Sequence, residues 1–191
     1  MYSIHKKKND LLEINGVEHK INATFDNILN VIDLLKENIS DGDKLDIAIE
    51  LLFGKSLDIS YKEKYQVFTH IMEEYINQKQ SEEEEYDLQG NLMPKYVEDQ
   101  EAYYSLEHDA KYIYAGFRQA YGINLFEEQG KLHWLDFQAL LVSLPEETKF
   151  KQLVKLRAWE PKKGDSAEYK RDMREAQKAV ALPRQEGVSY E

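Results

Sequence analysis

The sequence predicts a mainly α protein: two small helical units, the first carrying an N-terminal β-hairpin, joined by an acidic linker. Three observations predict it. Apolar side chains recur at three- and four-residue spacing over most of the chain. Asn15 and Gly16 stand between two short alternating runs. Residues 81–101 hold eight acidic residues against one basic. At 191 residues and 42% hydrophobic, the chain can build two modest cores. The expected boundaries are 1–80 for the hairpin and its helices, 81–104 for the linker, 105–183 for the second helical unit and 184–191 for a frayed tail.

In the first unit, Leu12 and Ile14 precede the turn, and Val17, His19 and Ile21 come after it. Asn and Gly both tolerate the positive φ that a type I′ turn requires. Pairing Ile14 with Val17 sets Leu12, Ile14, Val17 and Ile21 on one face, with Glu13, Glu18 and Lys20 on the other. Two strands alone are marginal in water, so that face should pack on the helices C-terminal to it. Thr24 is the expected N-cap of a helix to about Glu37, with Phe25, Ile28, Leu29, Ile32 and Leu35 inward. Asp43 is the expected cap of a shorter helix carrying Leu45, Ala48, Ile49, Leu52 and Phe53, which Gly54 ends. Ser60 and Glu63 have capping-box spacing, with Tyr61, Tyr65, Phe68, Met72 and Tyr75 recurring behind them.

The second unit should open near Leu106, where Leu106, Ala110, Ile113, Tyr114, Phe117 and Tyr121 share a helix face. Gly122 fits a left-handed C-terminal cap, and Ile123 can fold back on Phe117. The next helix, about His133 to Leu144, buries Trp134, Phe137, Leu140, Leu141 and Leu144 and stops at Pro145. Thr148 caps a helix with Phe150, Leu153 and Val154 inward. Asp165 and Glu168 have the spacing of an N-cap with its N3 acceptor, opening a last helix with Tyr169, Met173, Ala176 and Val180 on one stripe.

Net charge is −11, split as −4 over residues 1–80, −7 over 81–101 and zero over 102–191. The excess is local and would repel phosphate, which argues against nucleic acid. There is no cysteine, so disulfides and thiolate chemistry are excluded. No apolar run has the length of a membrane helix or of a signal core, and the expectation is a protein of the cytoplasm that binds no membrane.

Chemical motifs fail one by one. Asp41, Gly42 and Asp43 begin like a calcium loop, but its sixth position would be Asp46 and its twelfth Leu52, where a glycine and a bidentate glutamate are needed. Gly54, Lys55 and Ser56 resemble the end of a phosphate loop, yet Ile49 stands where its first glycine belongs. His70 with Glu74, or His108 with Glu107 and Asp109, supplies too few ligands for a metal. No nucleophile elbow is present, so the expectation is a non-enzyme with no catalytic residue, cofactor or metal. Among the aromatics, Phe117, Trp134 and Phe137 read as core, whereas Tyr103, Tyr104, Tyr112 and Trp159 are the candidate partner-binding residues.

The stretches DAKYIYAGFRQAYGINL, KLHWLDFQALLVSLPEETKF and LVKLRAW resemble the bacteriophage gene-product-fifteen family of tailed phages of Gram-positive bacteria. The Asn15, Gly16, Val17 hairpin with a helix after Thr24 is similar too. The resemblance implies tail morphogenesis, because genes of that family typically lie between those for the tail tube and the tape measure. It implies a tail assembly chaperone in the cytoplasm of the infected host, with the tape measure protein and/or tail tube protein as partner, and leaves self-association open. A tail completion or connector protein retained in the virion, and a small host-directed regulator, are the alternatives. No catalytic residues come with the resemblance.

Overall fold

The structure, a computed structural model, describes residues 8–75 and 103–183. Residues 81–102 of the expected acidic linker and the expected tail, 184–191, lie outside the described residues. The described chain is mainly helical, with one antiparallel hairpin at its start. It divides into two compact units that do not follow the chain in one pass. The first comprises residues 1–94 and 126–139, the second 95–125 and 140–191. Residues 126–139, expected in the second unit, are therefore grouped with the first. Helical periodicity shows that Trp134 and Phe137 are inward-facing but carries no information on which core receives them.

In the first unit, β1 (Leu11–Ile14) and β2 (Val17–Lys20) pair with Ile14 opposite Val17, the expected register. Asn15 and Gly16 take φ of 51° and 79°, as a type I′ turn demands. Ile14 and Ile21 are buried, but Val17 is 56% exposed, so the apolar face is only partly covered. His19 on that same face meets Phe53 edge-on, with ring centroids 6.0 Å apart.

Helix α1 (Phe25–Lys36) starts after Thr24, whose hydroxyl makes no cap bond. Its first free amide, that of Phe25, instead donates to the Leu132 carbonyl (2.9 Å), while the Trp134 amide donates to the Ala23 carbonyl (2.8 Å). Residues 132–134 thus cap the helix as a fragment of antiparallel ladder. Phe25, Ile28 and Val31 are buried and Leu35 is not, so the inward stripe is shorter than expected at its C-terminal end. Buried Asn27 donates to the carbonyls of Asn22 (2.8 Å) and Leu51 (2.9 Å), tying α1 to the end of the next helix.

That helix, α2 (Asp41–Phe53), is capped by Ser40 rather than Asp43. The Ser40 hydroxyl accepts from the Asp43 amide (3.1 Å) and donates to the Asp43 carboxylate (2.6 Å), so Asp43 acts as the N3 partner of a cap three residues earlier. Gly54 ends it in the left-handed region, φ 67°. Helix α3 (Tyr61–Tyr75) has the full capping box: the Ser60 amide donates to Glu63 (2.8 Å) and the Glu63 amide to the Ser60 hydroxyl (3.3 Å). The Ser60 hydrogen bonds also hold the Glu63 carboxyl below its usual range. Of the aromatics recurring along α3 only Tyr75 is buried, while Tyr61 and Tyr65 face water.

The core of this unit closes on α5 (Trp134–Val142), whose first six residues are grouped here and its last three with the second unit. Phe137 stacks on Phe25 (5.1 Å) and on Trp134 (5.5 Å), and Trp134 Nε1 donates to the Tyr75 carbonyl (2.7 Å). Each such side chain contributes about 1.5–3 kcal/mol by leaving water.

In the second unit, α4 (Ala110–Tyr121) begins four residues later than expected and ends as expected, with Gly122 at φ 69° and the Ile123 amide reaching the Phe117 carbonyl (3.3 Å). Gly116 lets Leu144 close in: a Cβ there would stand 3.1 Å from a Leu144 methyl. Helix α6 (Lys149–Arg157) is capped by Thr148, with Phe150 and Leu153 buried. Helix α7 (Ala167–Ala179) is capped by Ser166, because the Asp165 carboxylate is occupied by the Lys162 amide (2.7 Å). No residue of α7 is buried.

Candidate partner interface

Arg157 organises the second unit. On α6 it continues the run Phe150, Leu153, Val154, a position the helical period assigns to the apolar face. A charge there must be paired, and its partner is Asp109, 1% exposed at the start of α4. The guanidinium donates to both carboxylate oxygens, 2.6 and 2.9 Å away. Burial alone would raise the Asp109 carboxyl; the Arg157 hydrogen bonds, the Ser105 amide and the charges of Arg157 and His108 outweigh it and hold the group below its usual range.

The remaining Arg157 donors reach outward. Nη1 bonds the Tyr103 carbonyl (3.1 Å), Nε bonds the Val180 carbonyl (2.7 Å), and Gln177 of α7 donates to the carbonyls of Arg157 (3.1 Å) and Trp159 (2.7 Å). One buried ion pair therefore fixes the segment leading into α4, the end of α6 and the end of α7.

Three of the four candidate aromatics hang on this network. Tyr103, 36% exposed, is held by its carbonyl, leaving the ring outward. Tyr104, 41% exposed, leans edge-on against Phe150 (5.7 Å). Trp159 is half-buried and meets Tyr169 edge-on (5.9 Å). Tyr112 is half-buried on α4, with Lys111 Nζ 4.8 Å from its ring centroid, a local contact that does not join it to the other three. Rigidly held, half-exposed aromatic rings beside lysines suit protein contact, because little side-chain freedom remains to be lost on binding. Arg157, Asp109 and Tyr169 were not singled out in the sequence; a charge on an apolar helical stripe is the signal for the first two.

The first unit holds a cleft of about 470 Å³ lined by Asp10, Lys20, Thr24, Phe53, Lys131 and His133, among others. Asp10 and His133 look like an acid–base pair, but their atoms are committed. His133 Nδ1 accepts from the Leu135 amide (3.1 Å), so Nε2 carries the proton that meets Asp10 (3.0 Å). Asp10 also accepts from the Tyr75 hydroxyl (3.0 Å). Burial, then the Asp10 charge and hydrogen bond, push the Tyr75 phenol well above its ordinary value. Neither imidazole nitrogen is left to accept a substrate proton, so the pair clamps residues 133–135 to the N-terminal segment. Among the described residues no group of three or more histidines, aspartates or glutamates could hold a metal. No described helix is long and apolar enough to cross a membrane.

Residues 8–182 match the family described as Bacteriophage Gp15 protein. No curated protein and no solved structure matches the chain.

Proposed function

The chain belongs to the Bacteriophage Gp15 protein family, a structural or assembly-related phage protein, and we propose that it is a tail assembly chaperone. In this reading it binds the tape measure protein and/or the tail tube protein in the cytoplasm of the infected host and leaves before the particle is complete. Membership over residues 8–182 is the observation that carries the reading. The aromatic surface of Tyr103, Tyr104 and Trp159 supports it, since those rings are held by Arg157 at a partly exposed position.

The test is co-expression of the full chain with the tape measure and tube gene products, then affinity capture. Co-purification with either, lost in the triple variant Y103A/Y104A/W159A, is the expected result. Absence of any complex refutes the reading, and stoichiometric presence of the chain in purified virions converts it to a retained tail completion or connector protein.

A further inference from the structure

The grouping of residues 126–139 with the first unit exposes an asymmetry that the contiguous chain conceals. Among the described residues the first unit carries 17 acidic and 8 basic residues, net −9, and the second 9 acidic and 12 basic, net +3. Each excess lies partly along one helix face.

On α7 the charges are sorted. At 100° per residue, Lys170, Arg174 and Lys178 form one row, Glu168, Asp172 and Glu175 another, and Tyr169, Met173 and Ala176 the side turned toward the unit. Arg171 pairs with Asp172, but Lys170, Arg174 and Lys178 have no ion-pair partner among the described residues. Arg174 and Lys178 are exposed and Lys170 half-exposed. The row spans about 12 Å at 1.5 Å per residue.

On α2, in the other unit, the outward face reads Asp43, Asp46, Ile47 and Glu50, all exposed, with Ile47 at 40%. Asp46 meets Lys64 (2.7 Å) and Asp43 is engaged with Ser40; Glu50 has no such partner. This row spans about 10 Å. Two helices carrying opposite charges at i, i+3/i+4 and i+7/i+8 spacing can lie side by side with their charges in register, and Ile47 offers an apolar contact at the centre.

We propose that the α7 row of one copy docks on the α2 row of a second copy. The two patches differ, so the contact is head-to-tail and propagates from copy to copy, in a ring or an open chain, rather than closing in a two-fold dimer. The proposal does not depend on the chaperone reading and stands or falls separately from it.

The test is sedimentation velocity on the full chain over a range of concentrations. At low ionic strength the average mass should rise with concentration, and raising salt to about 0.2 M should weaken association by roughly ten-fold, since exposed charges are screened over about 8 Å there. K170E/R174E/K178E alone and D46K/E50K alone should each stay monomeric, while their equimolar mixture should associate again. Circular dichroism establishes that each variant is folded, and K170Q/R174Q/K178Q gives the same loss with a milder change. A wild-type mass independent of concentration, association that survives the reversals, or a mixture that stays monomeric each overturns the proposal.

Discussion

The first unit closes with carbon and the second with charge. In the first, Phe137 lies between Phe25 and Trp134, and the aromatics arrive from a stretch of chain more than a hundred residues downstream of Phe25. In the second, the Asp109–Arg157 pair ties the segment leading into α4 to α6 and α7, and the helix farthest along the chain buries no residue at all. An apolar core loses stability gradually, in proportion to the area and volume removed. A buried ion pair loses it abruptly, because one partner removed leaves the other charged and dry. The chain has two tryptophans, Trp134 in the first unit and Trp159 in the second, so W159F and W134F variants give each unit its own fluorescence reporter.

The largest effect is expected from separating the first unit from residues 126–139. A fragment of residues 1–80 lacks Trp134 and Phe137 and should show little helical circular dichroism and no cooperative melt; a folded fragment would break the comparison outright. Within the full chain, Phe137→Ala should destabilise the first unit by about 3–5 kcal/mol, measured by urea unfolding monitored at Trp134. Asp109→Asn should cost the second unit about 3–5 kcal/mol at Trp159, and D109L/R157M should recover much of that loss, which no double aromatic truncation in the first unit would do.

The two units should also fail at opposite ends of the pH scale. The Asp109 carboxyl is held below its ordinary value by Arg157 and Ser105, so its contribution is complete above about pH 4 and is lost as pH falls through the folded value. Tyr75 has its phenol raised by burial and by Asp10, so its contribution is complete below about pH 10 and is lost as pH climbs beyond. Acid should therefore be felt first at Trp159 and alkali first at Trp134; coincident transitions at both reporters would refute the assignment. The smallest effect belongs to Ser60→Ala, which removes half of the α3 capping box and should cost the first unit about 1 kcal/mol in thermal melts.

Local rules in this chain were legible because their causes are local. Asn15 and Gly16 dictate the hairpin register, Ser60 with Glu63 and Thr148 mark helix starts, and Gly54 and Gly122 mark ends. The caps of α2 and α7 were each misplaced, by three residues and one: an acidic side chain near a helix start serves equally as cap or as acceptor within the first turn, and only the backbone decides. The grouping of residues 126–139 was not legible, since periodicity reports that a face is apolar without naming the core that receives it. The candidate interface was half-legible. Tyr103, Tyr104 and Trp159 do gather, Tyr112 does not, and the Arg157 that gathers them was passed over although it breaks an apolar stripe.

The excursion of the chain into the second unit and back has a consequence during synthesis. Helix α3 ends at Tyr75, yet the ring that completes its unit, Phe137, leaves the ribosome 62 residues later. At about 5–20 residues per second that is a wait of roughly 3–12 s, during which Phe25, Ile28 and Ile49 have no finished core to enter. The nascent protein is thus itself a client for host folding helpers, and its two halves mature almost together, at the end of translation rather than one after the other.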